Sequence, residues 1–399
     1  MNFLFKPKYF EGPVSHGFVS LYTGKLVIII ASGLLGLFLP IFLYNLFHQN
    51  FRLMVVYYAS GYLFYGLMVA LGAKFLNKFG FRRSLRISVV LGALFYTVFY
   101  FIDQTNYFFL IPLSVLTIVL FRLFYWLPYN IDFAKFTDKN NRGRELSILM
   151  ATNLIISIFI PLLAGFIITK FSYDVLFIIV IILFLISGFS YTTLPRTEEK
   201  FSWTIKETWQ CFFSKERRRI IFAYLADGAE SVVGIVVWPI FIFQILKGNY
   251  LEVGAISTFI IGLTVIVQLV FGKYVDKKNK EKIIHLGSIL YSIGWILKIF
   301  ITTALQIFVV GVYHSIVSIF IRTPFDALTY EIAADQGHYV DEFTVLYEMA
   351  LNFGRVLMAI LIILISLFFT LQWIFALAAI VALLLNLLRA KDSSLAPRV

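Results

Sequence analysis

Charged side chains are scarce in this chain of 399 residues: only 14% are Asp, Glu, Lys or Arg, whereas 60% are apolar. Soluble domains carry about 25% charged residues, so a water-facing surface of the usual kind is excluded. Apolar runs at 26–47, 176–189 and 357–388 leave almost no polar face, which is typical of helices that span a membrane. Because these runs are continuous rather than alternating, we also exclude an outer-membrane barrel.

Several kinds of chemistry are missing as well. Cys211 is the one cysteine, which excludes an internal disulfide and a cysteine-rich zinc site. There is no G-x-x-x-x-G-K-[ST] loop to cradle the phosphates of ATP, so any transport is expected to be secondary or passive. The five histidines are scattered, and no H-E-x-x-H or Ser/His/Asp grouping is present. We therefore expect a protein that is not an enzyme and binds no cofactor or metal.

Breaks in hydropathy at charged, Gly or Pro clusters predict an all-α membrane protein with twelve membrane-spanning helices. In chain order, spans 1 to 12 are predicted at 25–46, 52–73, 85–102, 107–131, 146–169, 174–194, 220–245, 251–272, 283–303, 306–330, 343–369 and 371–388. Twelve spans and their connections leave no room for a large soluble domain.

Positive charge distinguishes the two sides of the membrane. If both termini are cytoplasmic, the inner segments hold 27 of the 34 Lys and Arg residues, and the outer loops hold only Arg52, Lys170 and Lys247. This asymmetry predicts a multi-pass protein of the cell membrane with both termini cytoplasmic. It also accounts for the net charge of +12 without nucleic acid as a partner. The expected partners are membrane lipids and a small-molecule substrate, and we expect a monomer.

The chain is similar to itself at a shift of 199 positions. The shift aligns Pro40-Ile41-Phe42 with Pro239-Ile240-Phe241, Asn50 with Asn249, Lys74 with Lys273, and Lys78 with Lys277. Two six-helix bundles, 1–195 and 220–399, are predicted. Because each contains an even number of spans, they are parallel repeats related by an axis along the membrane normal. The cytoplasmic linker 196–219 is interpreted either as an interfacial helix or as a polar segment with chance aromatics.

One loop motif carries a family resemblance. The sequence of 72–83, G-A-K-F-L-N-K-F-G-F-R-R, resembles the G-x-x-x-D-[RK]-x-G-[RK]-[RK] loop of the major facilitator superfamily. The segment 272–277 looks like its second copy, and 142–145 is similar to the R-G element of that superfamily. The resemblance covers essentially the whole chain and implies the two-bundle fold and solute transport. Ala73 and Asn77 replace the glycine and the acid of the first copy, so no carboxylate is present there to meet a helix N-terminus.

Alternatives remain open at this point. The segments 128–130 and 137–138, with Arg142, are faintly similar to glycoside-cation symporters of the melibiose permease type. However, there is no acid between Phe51 and Leu76, where those symporters place their cation-binding carboxylates. A membrane-embedded sensor or scaffold without transport is a second alternative, and a lipid-modifying enzyme is the least supported.

Charges inside spans form the candidate site, because an unpaired charge there costs several kcal/mol. Asp227 and Glu230 in span 7 are three residues apart and share a face, at roughly 12 and 17 Å from its inner end. Two neighbouring acids near the middle of the membrane do not both ionise cheaply, which favours proton coupling. A plain ion pair with Arg355 or Arg122 is the alternative.

The other candidates for substrate binding or proton coupling lie in spans 4 and 11. Glu348, Asn352 and Arg355 follow one another at spacings of four and three, which places them on one face of span 11. Arg122 in span 4 is a candidate either for binding an anionic group of the substrate or for poising the acids. The resemblance implies that these spans line the central cavity.

Three more charged residues in spans are expected to be structural. Arg322 and Asp326 are predicted to pair with each other at i,i+4, and Lys298 is predicted to extend to the outer interface. Aromatic side chains along the predicted cavity suit a ring-bearing solute, although packing is their more frequent role. These are Tyr44, Phe121, Phe124, Tyr125, Trp126, Tyr224 and Trp238.

Two inner loops are opposite in charge. The loop between spans 10 and 11 contains acids and no Lys or Arg, whereas its repeat partner between spans 4 and 5 is basic. We predict that these loops form an inner charge latch when the site opens outward, although solvated loop charge is the alternative. The gating residues assigned to the latch and to the two superfamily-like loops are Lys78, Arg82, Arg83, Arg142, Arg144, Asp276, Asp341 and Glu342.

Overall fold

The structure, a computed structural model, describes residues 16–136, 142–195, 201–275, 280–335 and 340–388. Within these ranges it contains fifteen α-helices and no strand. They are α1 His16–Gly36, α2 Phe38–Leu46, α3 Phe51–Phe79, α4 Phe81–Phe101, α5 Tyr107–Phe136, α6 Arg142–Lys170, α7 Tyr173–Ser190, α8 Ile205–Phe212, α9 Arg218–Val232, α10 Trp238–Ile245, α11 Tyr250–Val275, α12 Lys280–Lys298, α13 Ala304–Asp335, α14 Val340–Phe368 and α15 Trp373–Leu384. A π-helical turn, Val233–Val237, joins α9 to α10. A 3-10 turn, Leu385–Leu387, follows α15.

The all-helical prediction is confirmed, and ten segments of the described ranges are long and apolar enough to span a membrane. Span 1 is divided at Leu37 into α1 and α2, and span 7 consists of α9, the π turn and α10. Two predicted spans fall outside the ten. The sequence of α12 starts with Lys280, Glu281 and Lys282, and the segment 373–387 is shorter than the others. The number twelve therefore stays a prediction.

Bulky apolar side chains cover the outside of the helical bundle. Phe108, Phe109, Phe159 and Phe259 are each 64–77% exposed. Such a surface is unfavourable in water and matches a hydrocarbon solvent, in which every helix satisfies its own backbone hydrogen bonds. The polar side chains that remain in the interior are therefore few, and they define where a site can be.

Glycines allow two pairs of helices to come unusually close. Gly228 of α9 lies against the backbone of Leu351 in α14, and Gly354 of α14 lies against the backbone of Leu225 in α9. At either glycine an added Cβ would lie 2.7 Å from the carbonyl carbon opposite. Gly165 gives α6 a similar close approach to α11. Small residues at crossings are the usual means of close packing in membranes, and here they fix α9 against α14.

The first and second halves of the chain also meet through polar groups at the end of the bundle where α2 and α10 finish. Gln244 Nε2 donates to the hydroxyl of Tyr44 at 3.0 Å, and Asn45 Nδ2 donates to the hydroxyl of Tyr250 at 2.9 Å. The ring of Tyr173 in α7 packs edge-on against Tyr250, with centroids 5.6 Å apart. In this conformation the two halves are joined at that end, and Tyr44 is part of the junction.

The linker contains the short helix that one interpretation of its sequence predicted. α8 begins with a capping box, in which Thr204 Oγ1 accepts from Glu207 N at 3.1 Å and Glu207 Oε2 accepts from Thr204 N at 2.7 Å. These hydrogen bonds hold the pKa of the Glu207 carboxyl below its ordinary value. Trp209 and Phe212 pack against Phe353 of α14, with ring centroids 5.9 and 5.8 Å away. Residues 196–200 lie outside the described ranges.

Candidate functional site

Asp227 and Glu230 of α9 share one guanidinium group. Both carboxylates are buried, with 4% and 2% of their surface exposed. Arg322 of α13 donates from Nη1 to Asp227 Oδ1 and from Nη2 to Glu230 Oε2. The hydroxyl of Tyr291 in α12 donates to Glu230 Oε1 at 2.7 Å. Three helices of the second half therefore converge on two acids near the middle of span 7.

This arrangement corrects two predictions about partners. Arg322 was expected to pair with Asp326 one turn away, but its two arms reach α9 instead. The two arms of a guanidinium group can each bind one of two carboxylates that lie one turn apart on a neighbouring helix. On its own helix, Arg322 has only the single carboxylate of Asp326 one turn away. Asp326 lies within electrostatic range of Arg322 and is exposed. The alternative partners of the acids, Arg355 and Arg122, make no ion pair with them in the described ranges.

The prediction for Lys298 is wrong, because its ammonium group does not reach the interface. It is 2% exposed, and Nζ lies 3.8 Å from the ring centroid of Trp295 and 4.2 Å from that of Trp238. Indole faces attract a cation, and the carboxylate of Glu230 lies within electrostatic range. Together these groups offset the cost of burial. Lys298 forms no ion pair with Glu230 among the described residues.

His314 and Tyr291 complete this cluster. The imidazole of His314 stacks on the ring of Tyr291 at 4.4 Å and meets the edge of Trp295 at 4.5 Å. None of Tyr291, His314 and Lys298 was selected from the sequence. A usable signal existed for α12, since Tyr291, Trp295 and Lys298 follow at spacings of four and three on the face that meets Glu230. His314 carried a weaker signal, because the nearest charged residue on its helix, Arg322, is eight residues away.

A second cluster lies where the two halves of the chain meet. On α14, Asn352 Nδ2 donates to the backbone oxygen of Glu348 at 2.8 Å and lies 3.4 Å from its Oε2. Arg355 Nη1 donates to Asn352 Oδ1 at 3.3 Å, and its Nε donates to Ser231 Oγ of α9 at 3.2 Å. Ser231 is next to Glu230 in the chain, so the two clusters are adjacent on α9.

Arg122 reaches this second cluster from the first half. Its guanidinium carbon lies 5.0 Å from the ring centroid of Tyr62 in α3, and that of Arg355 lies 4.9 Å from the same centroid. Both guanidinium groups act electrostatically on the carboxylate of Glu348. The structure thus places Arg122, Glu348, Asn352 and Arg355 in one region, which the sequence could suggest only through the resemblance.

Other aromatic residues predicted to line a cavity are engaged in packing. Lys25 of α1 is surrounded by rings of α5, with Nζ at 5.2, 4.2 and 4.5 Å from the centroids of Tyr125, Trp126 and Tyr129. Phe121 stacks on Tyr125 at 5.2 Å. Packing, the more frequent role of such rings, describes these positions.

Two of the described gating residues, Arg82 and Glu342, form hydrogen bonds with residues that were not assigned to the latch. Arg82 and Arg86 of α4 donate to the carbonyl oxygen of Thr192, which follows α7. Glu342 Oε1 accepts from the backbone N of Ser202 at 2.9 Å and from its Oγ at 2.5 Å. Lys78 and Arg83 are exposed. Asp276 and the side chains of Arg142, Arg144 and Asp341 lie outside the described residues.

Asn77 shows why the departure from the superfamily-like loop suits this chain. Its Nδ2 donates to the carbonyl oxygen of Phe201 at 2.8 Å, and its Oδ1 accepts from the backbone N of the same residue at 2.9 Å. An aspartate could not donate the first of these bonds. With Ser202 bound to Glu342, the linker is attached to α3 of the first half and to α14 of the second.

Replacing Asn77 with aspartate is expected to loosen this attachment. The carboxylate faces the Phe201 carbonyl without a proton to donate, so one hydrogen bond is exchanged for repulsion. Backbone amide exchange at 201–204 should become about 3- to 10-fold faster. Hydrogen–deuterium exchange measures this. The control Asn106→Asp changes a loop asparagine that donates to Phe101 O at 2.8 Å, far from the linker, and should leave 201–204 unchanged. Equal exchange in the Asn77 variant and the native chain would contradict the prediction.

Comparison with known proteins agrees with the sequence motifs and the helical architecture. The family model described as Major Facilitator Superfamily matches this chain twice, over residues 21–226 and 220–394. The uncharacterized protein YqgE of Bacillus subtilis (strain 168) is 25% identical over an alignment of 245 residues that covers 58% of this chain and 56% of that protein. The match to that relative thus spans little more than half of its length. Because the family model covers nearly all of the sequence, the chain belongs to the Major Facilitator Superfamily and is a multi-pass membrane protein of a transporter family.

Proposed function

We propose that this protein is a secondary active transporter that moves a small organic solute across the cell membrane by alternating access, coupled to protons. Membership of the superfamily supports transport. The two consecutive family matches support two bundles, 1–195 and 220–399, with twelve spans and a cytoplasmic linker at 196–219. The positive charge of the inner loops supports cytoplasmic termini.

The observation that carries proton coupling is the sharing of Arg322 by two buried carboxylates. The two carboxylates bring two negative charges to the single fork of Arg322, so a proton on one of them leaves the other still paired with the guanidinium. A proton on Asp227 or Glu230 weakens the charge-assisted hydrogen bond from that arm of Arg322. Because these bonds join α9 to α13, protonation biases the equilibrium between two arrangements of the helices.

Alternating access requires contacts between the halves that break and form in turn. We assign the junction of Tyr44 with Gln244 and Asn45 with Tyr250 to the outer end, and the linker to the inner end. A conformation with the outer end joined is the one in which we expect an inner charge latch to be open. The latch of Arg142 and the other gating residues is accordingly proposed for the outward-open state.

The test is solute-dependent proton movement in proteoliposomes that enclose a pH-sensitive dye. Cationic, neutral and anionic solutes are screened with the native chain, Asp227→Asn and Glu230→Gln. We expect proton movement that depends on one solute class and falls at least about tenfold in both variants, since each removes one titrating group. The matched control is Glu252→Gln, an exposed acid at the start of α11, which should behave like the native chain.

Each other outcome has a defined meaning. Solute flux without proton movement would replace proton coupling with uniport or, if it follows a sodium gradient, with symport of the glycoside-cation type. Absence of flux with every solute class, from protein that is folded by size-exclusion chromatography, would overturn transport in favour of a sensor or scaffold.

A further inference from the structure

Two guanidinium groups from opposite halves of the chain meet at one tyrosine ring. Arg122 belongs to α5 and Arg355 to α14, and both lie over Tyr62 of α3. Since neither guanidinium carbon is more than 5.0 Å from the ring centroid, the two carbons are at most 9.9 Å apart. Like charges this close inside a membrane protein repel, so the arrangement calls for a negative partner.

The described residues do not supply that partner in full. Neither Arg122 nor Arg355 makes an ion pair within the ranges that the structure describes. The hydrogen-bond acceptors of Arg355 are the neutral groups of Ser231 and Asn352, and Arg122 has no hydrogen bond to a described residue. The carboxylate of Glu348 acts on both guanidinium groups, so Arg122, Arg355 and Glu348 bring two cationic groups and a single carboxylate together here.

A buried hydroxyl lies in the same place. Tyr65 lies one turn beyond Tyr62 on α3 and is 1% exposed. Its hydroxyl interacts with the carboxylate of Glu348 and lies within electrostatic range of both arginines. The hydroxyl can therefore donate either to Glu348 or to an anion that takes the place of that carboxylate.

We propose that Arg122 and Arg355 bind the anionic group, a carboxylate or phosphate, of the transported solute. Planar guanidinium forks match such oxyanions, with hydrogen bonds of about 2.7–2.9 Å. Tyr62 provides the ring over which both guanidinium groups lie, and Tyr65 provides a hydroxyl donor. Since one arginine comes from each half, the solute joins the halves when it binds. This inference rests on the proposed function and adds the charge class of the substrate.

Glu348 gives the proposal a distinctive consequence. Its carboxylate occupies the field of the two arginines and therefore competes with the anion. Removing that charge by Glu348→Gln leaves Arg122 and Arg355 in place and should tighten anion binding about 3- to 10-fold. A role of the arginines in packing alone predicts no such gain. Arg122→Gln and Arg355→Gln should each weaken anion binding about 10- to 100-fold.

The experiment measures thermal stabilisation of the purified chain in detergent by anions and their matched neutral counterparts. The probes are benzoate with benzamide, acetate with acetamide, and phenyl phosphate with phenol, each titrated at constant ionic strength. We expect at least one acid to stabilise the native chain while its neutral counterpart does not. That shift should weaken in both arginine variants and strengthen in Glu348→Gln. The control Arg52→Gln, an exposed arginine at the start of α3, should match the native chain.

Failure of this inference is distinguishable from failure of the proposed function. If no acid differs from its neutral counterpart, or if the difference survives in both arginine variants, the anion site is overturned, whatever the liposome assay shows. If an acid binds as expected but no solute crosses the liposome membrane, the site stands and transport does not. Arg122→Lys and Arg355→Lys, which keep the charge, serve where a glutamine variant fails to fold; weaker binding in them supports the fork geometry.

Discussion

Arg322→Gln is expected to destabilise the protein by about 3–5 kcal/mol. The substitution leaves Asp227 and Glu230 buried, with side chains 6% and 3% exposed, and removes the one ion-pair partner that the described residues give them. Without the guanidinium, the two carboxylates three residues apart repel each other, and the ammonium of Lys298 remains in the field of Glu230. Glutamine offers one amide where the arginine offered a fork with two arms, so at most one acid keeps a donor at position 322, while Glu230 keeps the hydroxyl of Tyr291.

The free energy of unfolding of this variant is measured by titration with SDS in mixed micelles, followed by tryptophan fluorescence. Arg322→Lys should lose less stability, because it keeps the charge and loses the fork. Arg322→Gln combined with Asp227→Asn and Glu230→Gln should recover most of the loss, since breaking an ion pair costs more than removing it. Arg52→Gln is the surface control. If the variant with Arg322→Gln alone is as stable as the native chain, the two acids do not need a cation.

The sequence was informative wherever membrane insertion alone determines structure. Continuous apolar runs predicted helices, and α3, α5, α11 and α14 cover the corresponding spans. It was less informative about the ends of helices. Span 1 was predicted to begin at 25, whereas α1 already includes Phe18 and Leu21, which are buried.

For the candidate site as well, the sequence predicted what lies within one helix and missed what depends on packing between helices. The shared face of Asp227 and Glu230 follows from helical periodicity, which acts within one helix. Their partner Arg322 lies 92 and 95 residues away in the chain, on a helix whose rotation and depth depend on packing. Helical periodicity does not determine that rotation. The sequence therefore predicted Asp326, the acid one turn away on the same helix, as the partner of Arg322. Lys298 was placed at the interface for a related reason, since two tryptophans become its neighbours only after folding.

Gly228 was not selected from the sequence, although it stands between the two candidate acids. An isolated glycine in an apolar helix has many meanings, and its role appears only when α14 is seen against it. A Cβ there would lie 2.7 Å from the carbonyl carbon of Leu351 and 3.0 Å from its Cα. Because both are backbone atoms, no change of side-chain conformation can relieve the contact. Backbone, unlike a side chain, yields only if a whole helix moves.

Gly228→Ala is therefore expected to cost at least the upper end of the about 1–3 kcal/mol typical of overpacking. Moving α14 away from α9 also lengthens the 3.2 Å hydrogen bond from Arg355 to Ser231, so binding in the second cluster should weaken along with stability. On one preparation, SDS titration measures the loss of stability, and the thermal shifts caused by anions and their neutral counterparts measure the loss of binding. Gly234→Ala is the matched control, because it lies in the same span and a Cβ there meets nothing within 4 Å. Equal losses in the two alanine variants would mean that the contact with α14 does not set the cost, since helix propensity alone favours alanine at both positions. A loss confined to Gly228→Ala would show that this glycine fixes the separation on which both clusters depend.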